Sequence, residues 1–395
     1  MAPKRVALLL IWLMMLVAYV DRVVMGVAGP AITKDLGLTK IQFSYVLSAF
    51  TLGYGLLQIP GGHFADRFGA RPMLVAALLI WSFFTGLTGF AAGLGMLIAI
   101  RVLFGIGEGI ENGAQFKVIG DHFGRSDRSR ASAFFLTAIA LGPAFASPMA
   151  TGLIGSVGWR GLFWFLTLPG LVVAFLLFRY LPKDRTADVE EETHMAPLRD
   201  AFGMRTWLAL TGYMFFNCSF WCFIGWIPTY LKEQRHLSLS NLGLLGAVPY
   251  LCGFAGMLAM GYLGSGLLLR WRPALVSACY FFAGIGLYIA LSANGTAGSI
   301  FGLSIAGLFL YGGFGPFWGA AIGLTTAENR GAFTGFVNFG GQVGGFVAPI
   351  VVGHLADKSK SFDSALLFMT ACLICGGVAM AVLQMVENRA PKTAG

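Results

Sequence analysis

Long apolar runs decide what this chain can become. Twelve of them lie at 6–28, 41–63, 72–91, 94–120, 129–153, 159–181, 204–230, 240–264, 273–293, 298–326, 331–355 and 363–386. A helix needs about 20 apolar residues to cross the hydrocarbon layer of a bilayer. Backbone polar groups find no water there, so only helices and closed barrels can span it. A barrel would read as alternating segments of about 10 residues, and that pattern is absent. The expectation is an all-α membrane protein with twelve transmembrane helices. Composition agrees: 57% of residues are hydrophobic and 11% charged, against about 25% charged in a soluble domain. An ordinary soluble enzyme, a disordered chain and a DNA-binding domain are excluded.

One long polar stretch, 182–203, contains the run Glu190-Glu191-Glu192. It divides the chain into an N-terminal six-helix bundle (1–181), a cytoplasmic linker (182–203) and a C-terminal six-helix bundle (204–395). The halves read as distant copies about 200 residues apart, as in transporters built from parallel repeats. Gly62–Val75 reads GHFADRFGARPMLV and Gly261–Val276 reads GYLGSGLLLRWRPALV, and Pro148 and Gly152 echo Pro349 and Gly353. Two six-helix pseudo-repeats follow.

Lys and Arg set the orientation. Seventeen of the 27 fall on the face that carries Lys4 and Arg5, seven on the other, and Arg22, Arg101 and Lys117 lie inside the spans. Cytoplasmic loops collect such residues, so both termini are expected in the cytoplasm, with the protein in the plasma membrane, the inner membrane of a bacterium. The net charge of +9 is then a topology signal, and no nucleic-acid partner is expected. No cleaved signal is read, because the first apolar run starts directly after Arg5 and no Ala-x-Ala-like site follows. All six Cys fall within predicted helices, where they serve as small packing residues. No disulfide, metal or cofactor is expected, and the protein is expected to be a monomer in the lipid bilayer.

Charges inside the spans are expensive and mark function unless they only pair with one another. Asp21 and Arg22 lie deep in the first helix; Arg101, Glu108 and Glu111 lie in the fourth. On an ideal helix Arg101, Glu108, Asn112 and Gln115 fall within about 60° of one another, and Glu111 lies about 60° from Glu108. The structural reading is a buried ion pair of Arg101 with Glu108 or Asp21. The functional reading is a proton-coupling set of Asp21, Glu108 and Arg101. Burial opposes a carboxylate's charge and a guanidinium favours it, so a carboxylate held between the two can take and release a proton. Further polar residues face apolar surroundings: Tyr54 and Gln58, Asn217, and Asn338 with Gln342 four residues on. Each alone suits an interhelical hydrogen bond; as a group they suit a ligand. Aromatic residues that include Trp221 and Trp318 crowd the same levels, and most serve packing.

Gly62-His63-Phe64-Ala65-Asp66-Arg67-Phe68-Gly69-Ala70-Arg71 resembles the signature loop of the major facilitator superfamily. The resemblance implies a gating role for Gly62, Asp66, Arg67, Gly69 and Arg71. The second copy has Ser265 in the Asp position, which implies a weaker latch. Tyr19-Val20-Asp21-Arg22, the segment Arg101–Gly109, Trp226–Leu231, Gly315–Trp318 and Gly158-Trp159-Arg160 are similar to stretches of the anion:cation symporter family. That family includes galactonate and hexuronate transporters, sialin and the vesicular glutamate transporters.

This resemblance implies proton-driven import of an organic anion, with Asp21 and Glu108 carrying protons beside Arg101. It implies substrate contacts from Arg22, Tyr54 and Asn338. Asn112, Gln115, Asn217, Trp221, Trp318 and Gln342 complete the expected substrate-binding set, and Arg22 is expected to take the substrate carboxylate in its planar donor fork. Ile139, Glu111 and Gly113-Ala114 depart from the pattern of sugar-acid members and point to a less hydroxylated carboxylate. Two other readings stand beside a symporter: a proton-antiporting drug exporter, and a receptor-like protein that does not transport. No catalytic triad, metal-ligand cluster or phosphate loop supports an enzyme.

Overall fold

A computed structural model describes residues 3–182, 203–325 and 330–389. The linker run Glu190–Glu192 and the side chains of Gly62, Asp66 and Asn112 lie outside the described residues. Among the described residues every regular element is helical, with no strand. The first half holds α1 (Pro3–Leu36), α2 (Lys40–Phe68), α3 (Ala70–Thr88), α4 (Leu94–Gly109), α5 (Glu111–His122), α6 (Arg125–Leu136) and α7 (Ala138–Tyr180). The second holds α8 (Met204–Glu233), α9 (Leu239–Ser265), α10 (Arg272–Ser292), α11 (Thr296–Gly312), α12 (Phe314–Gly323), α13 (Arg330–Ser359) and α14 (Asp363–Arg389).

Nine helices among the described residues are long and apolar enough to cross a membrane. The difference from twelve has physical causes. The helical stretch Arg130–Tyr180 counts once at 51 residues, yet Gly158 turns the chain inside it with φ 73°, so it holds the two expected spans. A left-handed backbone of this kind suits glycine because it has no Cβ. α4 is only 16 residues long, because the expected fourth span breaks between Gly109 and Glu111. α2 carries Ser44, Ser48, Thr51, Tyr54 and Gln58, which lower its hydropathy.

The turn at Gly158 is locked by the two residues that follow it. Trp159 Nε1 donates to Asp35 Oδ2 at 3.2 Å, and the Arg160 guanidinium pairs with the same carboxylate at the end of α1. Between α2 and α3, Gly69 adopts φ 89° and the capping box at Thr39 and Gln42 starts α2. Arg71 then donates to the Phe178 carbonyl at the end of α7. In the second half Arg272 makes the matching tie, donating to the carbonyls of Gly264 at 2.8 Å and Gly319 at 3.0 Å.

Glycine lets helix backbones touch, as membrane packing favours. A Cβ on Gly53 would meet the Val102 carbonyl at 2.1 Å, and one on Gly105 the Phe50 carbonyl at 2.3 Å, so α2 and α4 lie against each other. The second half repeats the device. A Cβ on Gly256 would meet the Leu308 carbonyl at 1.9 Å and one on Gly307 the Pro249 carbonyl at 2.2 Å.

By proximity the chain forms two units. One runs from Met1 to Glu190 and takes in Ile224–Ala247; the other comprises Glu191–Phe223 and Val248–Gly395. Within the first unit, Gly26 of α1 lies against the carbonyls of Ile224 and Gly225, Phe43 meets Trp226 edge to face, and Lys40 pairs with Glu233 at 3.0 Å.

Candidate functional site

Two clusters gather the expected residues, one in each unit. The first is charged. α1 presents Asp21 and Arg22 side by side, and a Cβ on Gly142 of α7 would touch Tyr19 Cβ at 2.7 Å, so this turn of α1 is tightly backed. Opposite stands the break between α4 and α5. Ile110 between them keeps φ −76° and ψ −26°, so Glu108 and Glu111, three residues apart, share a face and reach the same guanidinium. Arg22 Nε donates to Glu108 Oε2 at 2.7 Å, and Nη2 donates to Glu111 Oε1 at 3.2 Å. Gln115 Nε2 holds the other oxygen, Glu111 Oε2, at 3.2 Å. Arg22 is 4% exposed and both glutamates 0%. The rings of Tyr19, Phe50 and Tyr54 surround the guanidinium at 4.4, 5.6 and 5.0 Å, a set of cation–π contacts that are strongest without water.

The pairing differs from the one the sequence suggested. Among the described residues no carboxylate lies within ion-pair distance of Arg101, whose guanidinium rests over Phe50 at 5.1 Å and Phe104 at 4.5 Å. Arg22 is the residue that binds Glu108. Arg101 lies two turns from Glu108 on its own helix, about 10 Å along the axis, whereas Arg22 of α1 stands directly opposite it. Asp21 is buried as well, with Oδ2 receiving a 3.4 Å hydrogen bond from Thr85 Oγ1. Four polar atoms of this cluster are buried without a hydrogen-bond partner among the described residues: Asp21 Oδ1, Arg101 Nε, Glu108 Oε1 and Gln115 Oε1. With every group ionised, Asp21, Glu108 and Glu111 outnumber Arg22 and Arg101 by one negative charge.

The second cluster is aromatic. Asn217 Nδ2 donates to the Tyr213 carbonyl at 2.8 Å, and the Tyr213 ring stacks on Phe317 at 4.6 Å and meets Trp318 edge to face at 5.1 Å. Gly341 makes room, since a Cβ there would strike the Tyr213 ring at 2.6 Å and Asn217 Nδ2 at 2.8 Å. The buried Gln342 Oε1 has no hydrogen-bond partner among the described residues. Trp221 is buried against Phe220, and Trp318 and Asn338 are half-buried. Sequence reasoning passed over Tyr213; its spacing of four from Asn217 was the available signal.

Of the residues expected to form a gate, Gly69 and Arg71 hold the turn and tie described above, and Arg67 is exposed beside the Phe68 ring.

A model of the Major Facilitator Superfamily matches residues 11–349 and 210–394. The chain belongs to the major facilitator superfamily. It is a multi-pass integral membrane transporter, not an enzyme, and superfamily transporters generally need no cofactor. It is 27% identical to the hexuronate transporter of Bacillus subtilis (strain 168), over 99% of this chain and 97% of the relative. A probable L-galactonate transporter of Escherichia coli (strain K12) is 29% identical, over 95% and 86%. A probable sulfoacetate transporter of Cupriavidus necator is also 29% identical, over 93% and 90%. These relatives agree with the resemblance to anion:cation symporters. The fold is similar to that of a bacterial homolog of the human lysosomal transporter Spinster, solved in an inward-facing and occupied conformation. That likeness has a TM-score of 0.79 at 19% identity, over 97% of this chain and 96% of that one.

Proposed function

We propose that this superfamily member imports a small organic anion, a sugar acid or another carboxylate, together with protons by alternating access. The observation that carries the reading is the buried Arg22 shared by Glu108 and Glu111, with Asp21 on the adjoining position. A permanent cation in an apolar helix is costly, and a planar guanidinium suits a carboxylate. The named substrates of the relatives above are acids, which supports the same chemistry here. Protonating Asp21 or Glu108 removes negative charge from the surroundings of Arg22, so proton uptake favours anion uptake by electrostatics alone. Arg101 stabilises the ionised form and thereby helps proton release. Tyr54, Asn112 and Gln115, and in the second unit Asn217, Trp221, Trp318, Asn338 and Gln342, are proposed as further substrate contacts. Gly62, Asp66, Arg67, Gly69 and Arg71 are proposed as a gate on the side of the membrane that holds both termini.

The test uses purified protein in liposomes with a pH dye inside. Hexuronate, galactonate, an aromatic carboxylate or a sulfonate, added outside, acidifies the interior. Asp21→Asn and Glu108→Gln abolish uphill transport while counterflow persists. Normal uphill transport in both variants contradicts the coupling assignment. Proton-driven drug export is a second reading, favoured by the surplus carboxylate in the cluster; it requires that lipophilic cations, and not anions, protect the protein against heat.

A further inference from the structure

Glu111 stands where an incoming carboxylate would bind. Its Oε1 occupies Arg22 Nη2 at 3.2 Å, beside Glu108 on Nε. Its Oε2 is held by Gln115, four residues on in α5, so the carboxyl group already has a second partner when it leaves the guanidinium. Two buried carboxylates on one guanidinium leave little attraction for a third anion, because like charges at this range oppose one another strongly in a medium of low dielectric. We propose that Glu111 is an internal competitor for the substrate's carboxylate, and that it must take up a proton of its own before the anion can replace it on Arg22. This rests on the symport reading above and deepens it: Glu111 sets the proton count of the same site.

The steps balance. The Glu111 carboxylate accepts one proton from water and becomes neutral. Its bond to Arg22 weakens while Gln115 keeps hold, and the substrate carboxylate takes the vacated Nη2. On the other side of the membrane the anion leaves, Glu111 returns its proton to water and pairs with Arg22 again. Counting charge, the ionised cluster carries one negative charge. A monoanion therefore needs two protons for a neutral loaded site, and needs one if Glu111 is a neutral glutamine. Two protons with a monoanion move one positive charge inward, so accumulation responds to voltage, by about 50-fold per 100 mV at equilibrium. The class of substrate follows: a monoanion with a single carboxylate or sulfonate. A dianion would face Glu108 with its second charge.

The other groups around Glu111 are accounted for. α1 contributes Asp21, Arg22 and Tyr19, α2 contributes Tyr54, and α4 contributes Arg101 and Glu108. The only titratable side chain of α3 is Arg71, in its first turn. On α6, Asp127 pairs with Lys4 at 3.6 Å and Arg128 donates to the carbonyls of Phe123 and Gly120. Lys117, Asp121 and His122 follow on α5 itself, at least six residues beyond Glu111.

The experiment compares Glu111→Gln and Glu111→Asp with the natural protein in liposomes. A pH dye and labelled galactonate read the proton-to-anion ratio, and potassium gradients with valinomycin set the voltage. Glu111→Gln is expected to lower the ratio by one proton, abolish the voltage response, and tighten anion binding most at alkaline pH. Glu111→Asp keeps a titratable group and is expected to keep the ratio. Should Glu111→Gln fail to fold, proton uptake on galactonate binding to the natural protein in detergent replaces it: near two protons per anion supports the competitor, near one overturns it. An unchanged ratio and voltage response in Glu111→Gln also overturns it, and leaves the symport reading intact. Absence of any anion-driven proton movement in the natural protein overturns the symport reading itself.

Discussion

The two halves share a frame and differ in what they bury. α11 begins 202 residues after α4, and each is followed by a one-residue break and a shorter helix, α5 or α12. The close contact of α2 with α4 through Gly53 and Gly105 recurs between α9 and α11 through Gly256 and Gly307. At the same shift, Asp21 corresponds to Phe223, Arg101 to Leu303, Glu108 to Leu310, Glu111 to Gly313 and Gln115 to Phe317. One broken helix therefore carries a charged cluster and its copy carries a layer of rings. Glycine-mediated contact is cheap in any bundle, so both copies keep it. Buried charge is costly, so it stands only where Arg22 and the carboxylates offset one another.

Breaking the charged side gives the largest effect. Arg22→Ala takes from Glu108 and Glu111 the guanidinium they share, and removing one partner of a buried pair costs about 3–5 kcal/mol. Thermal melting in detergent shows the loss, and protection by galactonate disappears with it; retained protection contradicts the role of Arg22. Making the aromatic side resemble the charged one comes next. Leu310→Glu introduces a carboxylate into a layer of rings, at a cost of about 2.5–3.5 kcal/mol on insertion scales, and membrane yield should fall accordingly.

The shared frame can be perturbed in both copies. Gly105→Ala and Gly307→Ala each force a Cβ against a carbonyl within 2.3 Å, and overpacking of this kind costs roughly 1–3 kcal/mol. Similar melting shifts in the two variants support an equivalent frame. Only Gly105→Ala should also alter the proton-to-anion ratio, because it displaces α4 and Glu108. The smallest effect belongs to the exposed lock at the turn: because solvent screens an exposed pair, Asp35→Asn should barely shift melting, with transport per folded protein unchanged.

Much of this arrangement could be read in the residues themselves. Asp21, Arg22, Arg101, Glu108 and Glu111 stood out as charges in apolar runs, and the glycine-rich loop at 62–71 pointed to the superfamily. The pairing within the cluster was hidden, because it depends on how α1 faces α4 and α5, which no projection of a single helix gives. A uniform 100° per residue already puts Glu108 and Glu111 on one face; what it leaves open is that Arg22 is the cation they share. Tyr213 was hidden for another reason: its spacing of four from Asn217 is a faint signal among many aromatics until Gly341 and Asn217 are seen beside the ring. The grouping of Ile224–Ala247 with the first unit likewise depends on contacts far apart in the chain, such as Gly26 with Gly225.

The central claim is that proton and anion move together through the Arg22 cluster. Its most direct test is the flux ratio in liposomes, with interior pH and labelled galactonate or hexuronate followed in the same vesicles. The account predicts interior acidification in fixed proportion to anion entry, lost in Glu108→Gln while anion counterflow continues. Anion entry with a constant interior pH would contradict it, and would return Asp21, Glu108 and Glu111 to a structural role around Arg22.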